Sequence, residues 1–153
     1  MKSLIEYLVE VFSDAYPFSF VDGPSDIERS ASPFWAYKFV STGGKQKTDV
    51  SVLLMYNKQE RELTIGFTRM RSVDILGQGD AFKIFATVIS IVERFLQTKG
   101  KSLDMKTITF AAKKHESSRV SLYKKIIERM GRKYGYKSSV EVLPNAVVYS
   151  LRK

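Results

Sequence analysis

Three consecutive stretches near the middle of the chain are rich in β-prone apolar residues, and the third alternates apolar and polar positions with a period of two. The stretches are residues 34–41, 48–56 and 62–69, and short runs of turn-forming residues separate them. Alternation of this kind predicts strands with one buried face. Because the connections are short, we predict that the three strands form an antiparallel meander.

Apolar residues at helical spacing predict three helices. The first covers residues 3–12 and begins with the spacing of a capping box. The second covers residues 81–99, is apolar on most of its circumference and should be mostly buried. Gly100 is expected to end it. The third helix, residues 117–133, is amphipathic, with basic residues on its polar face.

The remaining segments complete the prediction of secondary structure. Residues 17–33 contain three of the four prolines, which predicts an ordered loop, with a short helix around 26–30 as an option. Residues 105–111 read as a strand that follows the second helix. Residues 140–143 and 146–151 read as a terminal hairpin or two short strands.

This order of elements predicts an α/β fold. The segment from 62 to 111 is long enough for a right-handed crossover between two parallel strands. We therefore expect a mixed, mostly antiparallel sheet with helices on both faces. A chain of 153 residues suits one hydrophobic core, so we predict a single domain over residues 1–153.

Charge is distributed unevenly along the chain. The net charge is +9, but residues 1–76 sum to −1 and residues 77–153 to +10. Residues 113–137 alone contain nine basic and two acidic residues. Such asymmetry favours an anionic partner, either a nucleic acid, a phosphorylated cofactor or an acidic surface. A solvated basic helix that only aids solubility remains an equal alternative.

Composition excludes several classes of chemistry. The chain has no cysteine, which excludes disulfides, thiolate catalysis and Cys-ligated metals. It has one histidine, so we expect no metal site. No apolar run reaches the length of a membrane span, and the N-terminal residues do not resemble a signal peptide. We expect a soluble protein of the cytoplasm that does not bind membranes.

Three short motifs accompany the order of elements. They lie at residues 76–81 (LGQGDA), 122–123 (LY) and 134–136 (YGY). Together they resemble the GCN5-related N-acetyltransferase (GNAT) fold, in which a meander is followed by a glycine-containing loop, a long helix, a strand, a helix and a hairpin. The chain is also similar in general character to a small bacteriophage protein, so a divergent phage-encoded member is one option.

The resemblance implies acetyl-coenzyme A as the cofactor. Main-chain amides at a helix N-terminus bind phosphate, and the resemblance places the pyrophosphate there. It assigns cofactor binding to the end of the third strand, the glycine loop and the last helix: Thr68, Arg69, Arg71, Gly77, Gln78, Gly79, Ala81 and Arg119. Two features depart from the family pattern, because its leading Gln or Arg is missing and Asp80 would repel phosphate. A capped helix start is the alternative interpretation of the loop.

The resemblance also implies the catalytic residues. Tyr123 would protonate the departing thiolate, although it could equally close the core as a helix aromatic. Asp74 is our candidate for the base that deprotonates the acceptor amine, preferred to Glu62 because ligands collect beyond strand carboxyl ends. His115 has a suitable pKa for a base, but a lone loop histidine is more often simply exposed.

Two functions follow. The first is an acyl-CoA-dependent N-acyltransferase that acts on a small-molecule or protein amine. The second is a non-catalytic protein of the same fold that binds nucleic acid or a protein partner through the basic face of its last helix. That face carries Lys124, Lys125, Arg129, Arg132 and Lys133. No signature of a sequence-specific nucleic-acid module is present, so such binding would depend strongly on salt.

Overall fold

A computed structural model describes residues 15–24, 29, 31–42, 47–69, 81–113, 124, 127–128 and 131–153. Within these residues the chain forms seven strands and one long helix with defined bounds. They are β1 (Phe18–Asp22), β2 (Phe34–Ser41), β3 (Thr48–Asn57), β4 (Glu62–Arg69), α1 (Ala81–Gln97), β5 (Thr107–Lys113), β6 (Lys137–Val142) and β7 (Ala146–Arg152).

The strands form one mixed sheet in the order β1-β2-β3-β4-β5-β7-β6. β1 pairs with β2, and β7 with both β5 and β6, in antiparallel fashion. β4 and β5 are parallel and flank α1 in sequence, which makes β4–α1–β5 a crossover unit. The predicted fold class, a mixed and mostly antiparallel sheet with helices, is confirmed.

Most element bounds agree with the sequence prediction. β2 and β4 have the predicted bounds, and β3 is one residue longer. α1 ends at Gln97, two residues early, and β5 lies two residues later than predicted. The terminal hairpin is present, but β6 begins at Lys137, three residues early, because polar residues there pair with β7.

The prediction of a loop over residues 17–33 was wrong at its start, where β1 lies. β1 is short, mostly exposed and bounded by Pro17 and Gly23, so its sequence reads as a loop. It forms because Phe18 and Phe20 lie opposite Phe39 and Tyr37 of β2, where aromatic side chains can pack. The predicted first helix and most of residues 26–30 lie outside the described residues.

By contact density the chain divides into two compact units. The first, termed the N-terminal unit, comprises Met1–Gly23, Trp35–Leu53 and Phe67–Leu103. The second, termed the C-terminal unit, comprises Pro24–Phe34, Leu54–Gly66 and Asp104–Lys153.

Helix α1 provides the core of the N-terminal unit. Its side chains Ile84, Val88, Ile91 and Phe95 are at most 2% exposed, which confirms that the helix is mostly buried. The Phe95 ring packs at 4.8 Å from Trp35 of β2. At the helix C-terminus, the Gly100 amide donates to the Phe95 carbonyl across 2.7 Å, so Gly100 closes the last turn as predicted.

Three cationic side chains, two in α1 and one just after it, each cover an aromatic ring. The rings alternate along the chain, one before β1 and two within it. The pairs are Lys83 over Tyr16, Arg94 over Phe18 and Lys99 over Phe20, with 3.9–5.8 Å between the cationic group and the ring centroid. Cation–π contacts of this kind, each worth about 0.5–1 kcal/mol at exposed sites, help to hold an edge strand against the helix.

The core of the C-terminal unit lies on one face of β5 and β7. Ile108, Tyr149 and Leu151 are at most 2% exposed, and so is Ile127 from the last helix. Described positions 124, 127–128 and 131–134 are helical, which agrees with the predicted third helix. The helix ends at Gly135, whose φ of 78° is readily adopted by glycine.

Candidate functional site

The parallel pairing of β4 and β5 ends before either strand does. In the described register, Glu62–Ile65 pair with Thr107–Phe110, and the last pair is Ile65 with Phe110. β5 continues to Lys113 and is paired there with β7. Its opposite edge therefore has no β4 partner from Ala111 to Lys113 in the described register.

Gly66 is the next residue of β4 after this pairing ends. It is exposed, and a Cβ atom built on it would meet no heavy atom within 4 Å. In any strand, the main-chain N–H and C=O groups of alternate residues point to one edge. The end of the β4–β5 pairing thus leaves strand-edge hydrogen-bonding groups beside an uncrowded glycine.

Three of the predicted cofactor-binding residues lie in described elements. Thr68 and Arg69 are the last two residues of β4, and Ala81 is the first residue of α1. This agrees with the prediction that the strand ends here and that a helix begins after the glycine loop. Five further candidates lie outside the described residues: Arg71, Gly77, Gln78, Gly79 and Arg119.

Both predicted catalytic residues, Tyr123 and Asp74, lie outside the described residues, as does His115. Glu62, the alternative carboxylate, is the first residue of β4. It is therefore at the strand end opposite to the one where ligands collect in such sheets. Its Oε1 lies 3.5 Å from the Thr64 hydroxyl.

Residues of the basic face of the last helix are described in part. Lys124, Arg132 and Lys133 are helical and exposed, as the amphipathic pattern predicts. The Lys133 ammonium lies 5.5 Å from the centroid of the Tyr134 ring. Lys125 and Arg129 lie outside the described residues.

Strand register in the C-terminal unit brings together a row of hydroxyl groups. Thr64 lies opposite Thr109, Thr109 opposite Ser150, and Ser150 opposite Ser139. Opposite residues share a face of the sheet, so four neighbouring strands each place one hydroxyl residue in this row. The sequence could not indicate this row, because it depends on the register of strands far apart in the chain.

Three tyrosine hydroxyls have pKa values that are raised from the ordinary value. Burial is the main cause for Tyr37, Tyr56 and Tyr136. The Asp104 carboxylate further raises the pKa of Tyr56 and Tyr136, whereas Arg61 lowers that of Tyr56 and Arg94 that of Tyr37. These phenols stay neutral at physiological pH.

An open groove of about 530 Å³ lies on the N-terminal unit. Its lining comes from β1, β2 and β3 and includes one cation, Lys38, and one anion, Asp49. The sequence alone does not indicate this groove, because it depends on how three strands pack.

Among the side chains that the structure describes, no group of three or more His, Asp or Glu residues could hold a metal ion. No helix in the described segments is long and apolar enough to cross a lipid bilayer.

No family model and no curated protein sequence matches the chain. Solved structures do match. A dodecameric spermidine N-acetyltransferase from Vibrio cholerae is 13% identical with a TM-score of 0.42, over 82% of this chain and 67% of that chain. The N-acetyltransferase PseH from Campylobacter jejuni is 11% identical with a TM-score of 0.38, over 82% and 71%. The ribosomal-protein acetyltransferase RimL is 11% identical with a TM-score of 0.35, over 80% and 70%.

Sequence identities of 11–13% and TM-scores of 0.35–0.42 establish neither an activity nor a substrate for this chain. The strand order β1-β2-β3-β4-β5-β7-β6, with the parallel β4–β5 pair joined through α1 and the terminal hairpin, agrees with the order of elements on which the sequence resemblance to the GNAT fold was based.

Proposed function

We propose that the protein is an acyl-CoA-dependent N-acyltransferase that transfers an acetyl group to an amine. The observation that supports this most directly is the end of the β4–β5 pairing after Ile65 and Phe110. Among the described residues, the edge of Ala111–Lys113 that faces β4 has no β4 partner, and Gly66 is the residue of β4 that follows the last pair.

The chemistry of the main-chain groups at such an edge fits the cofactor. The pantetheine arm of coenzyme A carries two amide groups, and amides can pair with a strand edge as an added peptide strand does. A glycine with open space around it permits close approach of such an arm. Amides of the loop at residues 77–81 would hold the pyrophosphate at the N-terminus of α1.

Acetyl-coenzyme A would supply the acyl group as an activated thioester. The amine nitrogen forms a bond to the acyl carbon, and the carbon–sulfur bond breaks. Asp74 would accept the proton that the amine loses, and the Tyr123 hydroxyl would give a proton to the departing thiolate. We keep both assignments as proposals drawn from the family resemblance.

The first experiment is calorimetric titration with acetyl-coenzyme A at about 150 mM salt, which screens nonspecific attraction of phosphate to a basic protein. ADP and a polyanion serve as controls. Saturable binding that the polyanion does not reproduce would support the proposal. An absence of acetyl-coenzyme A binding would overturn it.

Turnover can be followed by release of the coenzyme A thiol, since the protein contains no cysteine that would react with a thiol reagent. The Tyr123→Phe variant should lower kcat by about 10²-fold or more and leave cofactor affinity unchanged. Tyr134→Phe, the same change further along the chain, is the matched control and should keep the rate. An unchanged rate in Tyr123→Phe would remove that residue from the mechanism.

A further inference from the structure

Two cations lie directly opposite each other at one end of the C-terminal unit. Lys137, the first residue of β6, is paired in register with Arg152, the last residue of β7. Both side chains are exposed. Opposite residues of an antiparallel pair have Cβ atoms about 4.5–5.5 Å apart, and like charges placed there are destabilising.

Two further cations lie next to this pair. The Lys153 amide donates to the Lys106 carbonyl across 3.0 Å, and Thr107, which follows Lys106, lies opposite Arg152. Lys106 and Lys153 are also exposed. We call Lys106, Lys137, Arg152 and Lys153 the strand-end cluster.

Three described acids of this unit are either engaged with another cation or set apart from the cluster. Asp104 is paired with Arg61 at 2.5 Å. Glu62 lies in the same cross-strand row as Arg152, but Thr107 of β5 stands between them. Two strand spacings are roughly 9.6 Å. Glu141 is four residues along β6 from Lys137, roughly 13 Å away.

We propose that the strand-end cluster binds the sugar–phosphate backbone of a nucleic acid. A cross-strand pair of like charges has a cost in the free protein that a bound polyanion would remove. The strands are roughly 4.8 Å apart. Lys137 and Arg152 lie on one face of the sheet, and Lys106 and Lys153, each one residue away from that row, lie on the other, so this end of the sheet presents cations on both faces to a phosphate chain that passes around it. Recognition of phosphates alone carries no base specificity.

The surroundings of the cluster favour a nucleic acid over a membrane. Surfaces that bind anionic membranes combine cations with exposed apolar side chains that enter the lipid. The exposed large hydrophobic residues nearest in sequence, Val142 and Leu143, lie at the opposite end of β6. Near Lys137 the exposed residues of β6 are polar, as Ser139 is.

The test measures binding of a fluorescently labelled single-stranded DNA of about 20 nucleotides by anisotropy, from about 50 to 200 mM salt. The test variant is Lys137→Gln/Arg152→Gln. The control is Lys47→Gln/Lys101→Gln, which removes the same charge from two exposed lysines of the N-terminal unit. Anionic phosphatidylserine vesicles and poly-glutamate are the competing probes.

We expect the test variant to bind the DNA at least about tenfold more weakly at the lowest salt, with a salt dependence that is shallower by roughly 1.4 in log–log slope, the value for two phosphate contacts to a single strand. The control variant should lose much less affinity for the DNA. Equal losses in both variants, or no loss in either, would overturn the proposal. Binding of vesicles or poly-glutamate as tight as that of the DNA, with the same loss, would overturn the assignment to nucleic acid.

A glutamate variant distinguishes a loss of DNA binding from a loss of folding. Lys137→Glu places opposite charges in the cross-strand pair, so it should be folded and no less stable than the parent. It should still lose DNA binding. This outcome is independent of the calorimetric test with acetyl-coenzyme A, so either proposal can fail alone.

Discussion

The hydroxyl group of Tyr56 donates a hydrogen bond of 2.6 Å to the main-chain carbonyl of Asp104. This bond joins the end of β3 to the segment before β5. Arg61 supports the same junction, because its carbonyl accepts hydrogen bonds from the amides of Lys106 and Thr107. The Arg61–Asp104 ion pair adds little, because both side chains are well exposed.

Replacement of Tyr56 by Phe should therefore lower the free energy of unfolding by about 1 kcal/mol, the usual contribution of one hydrogen bond. The change is measured by urea unfolding. Tyr37→Phe is the control, since the described residues give no hydrogen-bond partner for its hydroxyl. Equal effects of the two variants would contradict a stabilising role of the Tyr56 bond.

Ionisation of tyrosines should limit stability at high pH. The pKa values of Tyr37, Tyr56 and Tyr136 are raised in the folded protein, mainly by burial. A group whose folded pKa exceeds its unfolded value, about 10 for tyrosine, stabilises the fold fully below that pH. That stability is lost as pH rises through the folded pKa.

We therefore expect an absorbance titration to show that Tyr37, Tyr56 and Tyr136 ionise above about pH 10. The melting temperature should decline over the same range. Tyr56→Phe should remove one late-ionising group. A titration in which all eight tyrosines ionise together near pH 10 would contradict this prediction.

Regular alternation made much of the sheet predictable. β2 was predicted with its observed bounds because it buries every second residue over eight positions, and β4 because apolar and polar residues alternate along its sequence. β1 was not, because five residues between Pro17 and Gly23 give too little pattern, and its stability comes from contacts with β2. Local sequence cannot report such contacts.

The candidate site was predictable only where it coincides with an element boundary. The end of β4 at Arg69 and the start of α1 at Ala81 were both predicted. The end of the β4–β5 pairing after Ile65 was not, because it depends on how two distant strands diverge. The opposition of Lys137 and Arg152 was missed for the same reason, since β6 was expected to begin at Val140. The roles of Tyr123 and Asp74 remain predictions.

Gly100 is expected to be intolerant of any side chain. A Cβ atom there would lie 2.5 Å from the Phe95 ring, which is fully buried and packs on Trp35. Gly100→Ala should thus lower the free energy of unfolding by about 1–3 kcal/mol, as overpacking of a core does.

Gly66→Ala is the matched control for this change. Its Cβ would have open space, so its effect should stay within about 0.5 kcal/mol. Urea unfolding measures both variants. Similar losses in the two would show that glycine flexibility, and not contact with Phe95, sets the cost.

Stability and nucleic-acid binding should change in opposite directions at Lys137. Its register partner is Arg152, so Lys137→Glu replaces a repulsive cross-strand pair with an attractive one. Pairs of this kind contribute roughly 0.2–1 kcal/mol. For a chain of this length, 1 kcal/mol corresponds to about 2–4 °C in melting temperature.

Thermal unfolding at low salt should therefore show a higher Tm for Lys137→Glu, a smaller gain for Lys137→Gln, and none for Lys47→Glu, the same change at an exposed lysine that precedes β3. The gain should shrink as salt is added, because the pair is exposed and screened. A Tm that falls in Lys137→Glu would mean that the two side chains do not repel each other, and would remove the repulsion that a bound polyanion is proposed to relieve.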